Sequence, residues 1–287
     1  MATRRTTTLR TRIRYARSAA GVAFSAAAAA VLAALLLLIL GYVAREGASA
    51  LSISFLTEIP HPVGIAGGGV GNGIAGSLII VALAALMAFP VGLLTGVYLA
   101  EYGHGAPAEA IRFLSDILAS VPSIAIGLFA YTLLVAPLGH FSGFSASFAF
   151  AVLMMPLVIR ATEEALRGVQ REVRESALAL GASEYHATVW VVLPAARPAI
   201  VTGLLLALAR VTGETAPLLF TAFGSQFWEL NPWNPMAELS LQIFTYAISP
   251  YKSWHAQAWA GALILILAVF ALNLLARTRL RPRLAAR

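Results

Sequence analysis

The sequence predicts an all-α, polytopic membrane protein with about six transmembrane helices. Hydrophobic residues make up 59% of its 287 residues, charged residues make up 11%, and the mean hydropathy is +0.80. A soluble domain carries a charged fraction of about 25%. Six apolar runs approach or exceed the ~20 residues that a helix needs to cross the hydrocarbon core. They cover residues 19–43, 74–100, 113–138, 143–160, 195–222 and 257–276.

The basic residues predict the orientation of these spans. Six arginines precede the first run, five follow the last, five surround a charged segment after the fourth run, and Arg112 precedes the third. A topology with both termini inside places all seventeen on the cytoplasmic side, as the positive-inside rule requires. Arg45 and Lys252 then fall outside, and Arg210 lies within a span. We therefore attribute the net charge of +7 to membrane orientation and expect a lipid environment and no nucleic-acid partner.

The two ends of the chain are predicted to be basic cytoplasmic tails, residues 1–18 and 279–287, on either side of the spans. The first apolar run, 19–43, has about 25 residues, which is long for the apolar core of a signal peptide. Although Ala48-Ser49-Ala50 weakly resembles a cleavage site, we favour a retained span.

A charge-rich segment, residues 163–193, separates the fourth and fifth runs. Gly181 suits the left-handed turn that ends many helices, and Ser183 suits the N-cap of a following helix. Pro194 suits the first turn of the next helix. Apolar residues at helical spacing form one predicted stripe: Val169, Val173, Ala177 and Leu180. The segment thus predicts two short amphipathic helices, joined by a glycine, on the cytoplasmic side.

This segment resembles the EAA motif of ABC importer permeases. That motif has Glu-Ala-Ala, three residues, Gly, nine residues and then Ile-x-Leu-Pro. Here Glu175-Ser176-Ala177 is followed at the same intervals by Gly181 and by Val191-Val192-Leu193-Pro194, with Ser and Val as the departures. The resemblance implies that the segment seats in a cleft of a separate ATPase subunit and passes its motion to the spans. The implied coupling residues are Glu175, Ala177, Gly181, Leu193 and Pro194.

Two charged residues, Arg210 and Glu214, lie deep within the fifth run. Arg210 is about 18 Å from the predicted cytoplasmic start of the span at Pro198, near or past the midplane. A charge there costs ~2.5–3.5 kcal/mol. Residues at i and i+4 share a helix face, so the two are expected to pair. Gly213 and a later proline interrupt the helix and are predicted to expose amides near Thr215.

Two hypotheses remain open for this pair. In one, Arg210 and Glu214 form a structural ion pair against a partner subunit. In the other, Arg210, Glu214 and Thr215 belong to the substrate pathway and contact or gate an anion. An arginine fork suits a tetrahedral oxyanion, and amides at the start of a half-helix favour negative charge.

Two further segments carry structural predictions. Arg112 and Asp116, at the cytoplasmic edge of the third run, are expected to form an i,i+4 surface pair. The outer segment 224–256 is long for a bundle loop and is predicted to contain a short amphipathic helix on the outer face. Its helically spaced apolar residues are Leu239, Ile243, Phe244, Ala247 and Ile248. This helix could serve as a lid, dock a binding protein or pack against a partner.

Several motifs together resemble the phosphate-importer permeases of the PstA type, over roughly residues 70–278. They are Tyr98–Tyr102, Ser120–Ile124, Ala209–Leu218, and Pro235–Ala237 with Gln242–Phe244. The resemblance implies the type I ABC importer permease fold in a bacterial inner membrane. It also implies a heterodimer with a second permease subunit, a dimer of ATPase subunits that binds Mg-ATP, and an extracytoplasmic phosphate-binding protein. The implied function is ATP-driven import of inorganic phosphate.

Other functions stay open or are disfavoured. The cargo could be another oxyanion, sulfate or molybdate, or the chain could be an ATP-independent channel or scaffold. An enzyme is not expected, because the sequence has neither HExxH nor GxSxG and no GxxxxGK[ST] for ATP. With no cysteine, thiolate metal sites are excluded. We predict no catalytic residue, no metal site and no cofactor in this chain.

Overall fold

The computed structural model describes residues 9–62, 65 and 67–279. This part of the chain is helical, and its one β-type contact is an isolated bridge between Phe223 and Met236. The longer helices are α1 (Leu9–Ala48), α3 (Gly71–Val97), α4 (Gly105–Ser120), α7 (Gly143–Arg167), α10 (Leu193–Val211) and α12 (Lys252–Arg279). The shorter ones are α2 (Ile53–Thr57), α5 (Ser123–Ala130), α6 (Ala136–Leu138), α8 (Arg171–Ala179), α9 (Glu184–Ala187) and α11 (Leu239–Ala247). Five-residue π-helical turns extend three of them, at Tyr98–Tyr102, Tyr131–Val135 and Thr188–Val192.

Five helical stretches of the described chain are long and apolar enough to cross a membrane, and a bent pair of helices makes a sixth. This confirms the predicted all-α fold with about six spans. The third predicted span, 113–138, is sharply bent, because α4 and the helix that starts at Ser123 meet at 101°. Pro122 explains the bend: it lacks an N–H, and it forces Val121 into an extended conformation with ψ 130°.

The fifth predicted span, 195–222, is also shorter than expected. The helix α10 ends at Val211, and the chain continues through Thr212–Thr215 into a 3₁₀-helix, Ala216–Phe220. The predicted interruption near Gly213 is therefore confirmed. We call residues 212–215 the break.

Small residues bring the central helices together. A Cβ placed on Gly92 would lie 2.6 Å from Cγ1 of Val158, and one on Gly96 would lie 2.5 Å from Cβ of Thr162. Two glycines four residues apart on α3 thus let α7 approach along the same face, as in GxxxG packing. This α3–α7 pair is the centre of the apolar core, which includes the fully buried Ile80, Phe150 and Met154.

The first helix lies apart from this core. It packs on α12 near its own C-terminal end, where Tyr42 contacts Trp259 edge-to-face with ring centroids 5.2 Å apart. The predicted span 19–43 falls inside α1, which begins already at Leu9 within the predicted tail 1–18. Residues 1–8 and 280–287 of the predicted tails lie outside the described residues.

The outer segment folds back into the bundle. Its predicted helix exists as α11, but the first turn is buried against α3 and α12 instead of lying on the surface. Gly76 of α3 allows this approach, because a side chain there would collide with the carbonyl oxygen of Ala237. Phe244 and Ile248, near the other end of α11, are exposed.

Candidate functional site

The charged segment folds as the two predicted helices, α8 and α9, which we call the helix pair. Gly181 joins them with φ +87°, a conformation that favours glycine, and a Cβ there would meet nothing within 4 Å. Ser183 caps α9, since its Oγ accepts a hydrogen bond from the backbone N–H of His186 at 3.4 Å. Pro194 stands in the first turn of α10. All three local predictions are confirmed.

The side chains predicted for coupling lie in different environments. Ala177 is buried, Leu193 is half-buried, and Pro194 is exposed. Glu175 is exposed and accepts a 2.8 Å hydrogen bond from Nε of Arg171 on the same helix. These residues thus lie on the helix pair and in the first turn of α10.

The predicted apolar stripe is wrong at Leu180, which is 89% exposed: α8 ends at Ala179, so helical spacing no longer fixes the direction of the Leu180 side chain. Leu180 belongs instead to a group of exposed apolar side chains on the helix pair and the turn that follows. We call this group the apolar patch; it comprises Leu178, Leu180, Tyr185 and Trp190. Large exposed apolar side chains on a charge-rich segment are candidates for an interaction surface.

An ion pair that the sequence analysis missed ties the helix pair to α3. Arg174 of α8 donates to both carboxylate oxygens of Glu101, at 2.8 Å from Nη2 and 3.3 Å from Nε. The same guanidinium donates to the carbonyl oxygens of Val169 at 2.7 Å and Leu166 at 2.5 Å. The Arg174 side chain is 25% exposed and that of Glu101 is 9% exposed. One arginine therefore connects α8, the end of α7 and the last turn of the second span.

A second cluster corrects the predicted Arg112–Asp116 pair. Nε of Arg112 lies 2.7 Å from Oε1 of the buried Glu163, and Nη2 of Arg167 lies 2.8 Å from the same oxygen. Asp116 pairs with Arg160 of α7 instead. The local i,i+4 pair does not form because α7 brings closer partners to both residues.

The predicted pathway residues meet at the break. Arg210 lies in the last turn of α10, seventeen residues and thus about 26 Å beyond Leu193. Its Nη2 is 4.0 Å from Oε1 of Glu214, and the two side chains are 52% and 24% exposed. The predicted pairing is therefore confirmed, and about half of the Arg210 side chain remains exposed.

The half-helix expected after Thr215 is shorter than predicted. The segment that follows is a five-residue 3₁₀-helix, and Thr215 accepts a hydrogen bond from the N–H of Leu218 at 3.1 Å. So short a helix supplies little dipole, and the guanidinium of Arg210 is the main group of this region that can attract an anion. The structure leaves both hypotheses for the pair open.

Beside the break lies a fully buried carboxyl group, Glu238, at the N-cap of α11. It has polar neighbours on two elements: Oγ of Ser77 is 2.9 Å from Oε1, and on α11 Oγ of Ser240 and the N–H of Leu241 are 2.7 Å and 2.9 Å from Oε2. Burial raises the pKa of Glu238, while these hydrogen bonds act in the opposite direction. Among the described residues, no three His, Cys, Asp or Glu side chains converge on a metal site.

The residues that the sequence analysis missed share one property: their partners are far away in sequence. Glu101 and Arg174 are 73 residues apart, and Ser77 and Glu238 are 161 apart. The sequence marked two of these residues as unusual: Glu101 lies in the Tyr98–Tyr102 motif, and Glu163 is the first of two adjacent acids that follow an apolar run. Helix periodicity alone assigns neither a partner.

The chain is similar to known membrane transport proteins. Residues 88–285 match the family described as "Binding-protein-dependent transport system inner membrane component". The phosphate transport system permease protein PstA of Yersinia pestis is 45% identical over 240 residues, which is 83% of this chain and 81% of that protein. PstA of Xylella fastidiosa strain 9a5c is 45% identical, with 82% of each chain covered. PstA 1 of Mycobacterium tuberculosis strain H37Rv is 43% identical, with 73% and 68% covered.

Two solved structures resemble the fold. A structure of inward-facing conformations of the MetNI methionine ABC transporter superposes with a TM-score of 0.60 at 19% identity, covering 74% of this chain and 94% of that one. An amino acid ABC transporter with histidines gives a TM-score of 0.52 at 18% identity, with 72% and 92% covered. At these identities the likeness concerns the fold alone, which is that of ABC importer permeases.

Proposed function

Because the chain belongs to the family of binding-protein-dependent transport system inner membrane components, we propose that it is one permease subunit of an ATP-driven importer of inorganic phosphate. It spans the inner membrane several times, with both termini in the cytoplasm. It forms half of the translocation pathway and leaves ATP hydrolysis to separate subunits. The observation that supports phosphate as the cargo is the 45% identity to PstA proteins over more than four fifths of the chain.

The geometry of the helix pair supports a partner on the cytoplasmic side. Three members of the apolar patch, Leu178, Leu180 and Tyr185, lie within four residues of Gly181 on a strongly charged segment, and Trp190 follows in the turn before α10. Burying it in a cleft of an ATPase subunit removes apolar surface from water. Each ATPase subunit of a dimer would then hold the helix pair of one permease subunit. Mg-ATP belongs to that dimer.

The open guanidinium of Arg210 supports a role in the substrate pathway. Its side chain is half exposed at the far end of α10, and Glu214 neutralises it at the long distance of 4.0 Å. An arriving oxyanion, delivered by an extracytoplasmic phosphate-binding protein, could displace that weak pair and accept the arginine fork. The second permease subunit supplies the other half of the pathway. Sulfate and molybdate fit the same fork, so cargo identity requires a competition experiment.

Transport in a purified complex tests the proposal. The chain is reconstituted in proteoliposomes with the second permease, the ATPase and the binding protein, and ATP-dependent uptake of radiolabelled phosphate is measured. Uptake that unlabelled phosphate suppresses, and that sulfate and molybdate leave unchanged, supports the proposal. Suppression by sulfate or molybdate at equal concentration reassigns the cargo. A chain that binds no ATPase and passes phosphate without ATP would be a channel, contrary to the proposal.

A further inference from the structure

Every close polar contact around Glu238 can be a full hydrogen bond only if its carboxyl group carries a proton. The hydroxyl of Ser77 accepts the N–H of Leu239 at 2.9 Å, so its single hydrogen points to Oε1 of Glu238. The second oxygen, Oε2, accepts the N–H of Leu241. The backbone N–H of Ser240 also hydrogen-bonds to this carboxyl group. The contact between Oε2 and the Ser240 hydroxyl remains to be explained.

The Ser240 hydroxyl lies against two acceptors but has one hydrogen. Its Oγ is 2.7 Å from Oε2 of Glu238 and 3.0 Å from the backbone carbonyl oxygen of Glu214 in the break. If Glu238 is ionised, only one of these contacts is a full hydrogen bond. If Oε2 carries a proton, it donates to Ser240, and Ser240 donates to the Glu214 carbonyl. Each of the two contacts is then a full hydrogen bond, and both donors point from Glu238 towards Glu214.

The surroundings favour the neutral form of the carboxyl group. Glu238 is fully buried, and within the described chain no basic side chain lies at ion-pair distance from it. An ionised carboxylate without a cation is costly in such a place. The charged groups nearest along the hydrogen-bond chain are Arg210 and Glu214, on the far side of Ser240. On α11 the titratable side chain is that of Tyr246, which bonds to Gln242.

We propose that Glu238 is a positioning residue that holds a proton and, through Ser240, fixes the backbone of the break that carries Glu214. The chain of donors runs from the Glu238 carboxyl to the Ser240 hydroxyl and ends on the Glu214 carbonyl. Ser77 anchors the carboxyl to α3, and the close approach of Ala237 to Gly76 prevents it from shifting along that helix. The position of Glu214 opposite Arg210 thus depends on a neutral glutamic acid. The positioning role rests on the proposed transport function, whereas the proton does not.

Infrared spectroscopy tests the proton without any transport. The whole complex in lipid nanodiscs at neutral pH should show the C=O stretch of a protonated carboxyl group, and Glu238→Gln should remove it. Glu229→Gln is the matched control, because Glu229 lies in the same outer segment but is only partly buried, and a backbone hydrogen bond from Asn231 lowers its pKa. The band should persist in that control. Its absence from the wild-type complex, or its persistence in Glu238→Gln, would overturn the proposal whatever the cargo.

Uptake measurements test the positioning role. Ser240→Ala removes the link to the break and should lower phosphate uptake roughly three- to tenfold, the loss expected for one hydrogen bond. Glu238→Gln keeps a donor to Ser240 and should retain most uptake, whereas Glu238→Ala should lose at least as much as Ser240→Ala. Because the neutral form is the functional one, wild-type uptake should fall as the pH rises through the elevated pKa of Glu238. Glu238→Gln cannot ionise and should not show that fall.

The infrared band and the uptake measurements together show whether the proton, the positioning role or the proposed transport function is wrong. Normal uptake in both Glu238→Ala and Ser240→Ala, in complexes that assemble, would overturn the positioning role even if the band is present. Absence of phosphate uptake in the wild-type complex, with the band present, would refute the proposed function but leave the protonated carboxyl in place.

Discussion

Replacing Glu101 with Gln, or Arg174 with Ala, tests whether the helix pair acts on the spans through their ion pair. The Arg174 guanidinium bridges Glu101 at the end of the second span and the carbonyls of Leu166 and Val169 at the end of α7. If the helix pair passes motion to the spans, this arginine is its direct link to α3. Without this link, ATP hydrolysis should continue, but each ATP hydrolysed should drive less phosphate uptake.

The free-energy cost of breaking the Arg174–Glu101 ion pair depends on how deeply the pair is buried. Removing one partner of a fully buried ion pair costs ~3–5 kcal/mol. Arg174 is 25% exposed and recovers some hydration, so we expect about 2 kcal/mol for Glu101→Gln, which corresponds to a roughly thirtyfold weaker docking of α8. Arg174→Ala should cost more, because it also removes the two carbonyl contacts. Arg171→Ala is the matched control: its pair with Glu175 is exposed and contributes ~0–1 kcal/mol.

The assay is the ratio of ATP hydrolysed to phosphate taken up in proteoliposomes. The ratio should rise in Glu101→Gln, rise further in Arg174→Ala, and stay unchanged in Arg171→Ala. The reversed pair, Glu101→Arg with Arg174→Glu, should recover only part of the coupling, because a glutamate at 174 cannot donate to the two carbonyls. A wild-type ratio in an assembled Arg174→Ala complex would refute the reasoning, as would an equal effect of Arg171→Ala.

Three further predictions concern single positions. Arg210→Ala should abolish phosphate uptake while co-purification with the partner subunits persists; unchanged uptake would leave Arg210 as a structural ion pair. Gly181→Val should raise the ATP-to-phosphate ratio, because a β-branched residue at φ +87° costs ~1–2 kcal/mol and should distort the glycine turn; normal coupling would argue against a fixed turn. Gly96→Val should lower the thermal unfolding temperature of the complex, because its Cβ would lie 2.5 Å from that of Thr162; an unchanged temperature would show that α3 and α7 can separate at little cost.

Features with local causes could be predicted from the sequence. The spans follow from the length of apolar runs, and the glycine turn and the Ser183 cap follow from the backbone preferences of single residues. The interruption of the fifth span follows from Gly213 and the proline after it. In each case the interaction spans a few residues.

Features with distant causes could not be predicted. Spacing suggested Arg112 with Asp116, yet α7 supplies Glu163 to one and Arg160 to the other, from 51 and 44 residues away. The burial of Glu238 depends on Gly76, which allows the outer segment to reach α3. Helix periodicity shows which face of its own helix a residue occupies. It does not show which other helix packs against that face. The number of candidate pairs grows with every span, so the correct ones emerge only from the packing.

These distant contacts give α3 a connection at each end. Near its start, Ser77 donates to the buried carboxyl group of Glu238, and at its far end Glu101 pairs with Arg174 of the helix pair. The two attachment points are twenty-four residues apart, about 36 Å along a helix. The helix α10 also joins these regions, since it begins at Leu193 beside the helix pair and ends at Arg210. Two helices in parallel therefore connect the helix pair to the region of the break. Cutting the Arg174 link should then reduce coupling without abolishing it, since α10 remains.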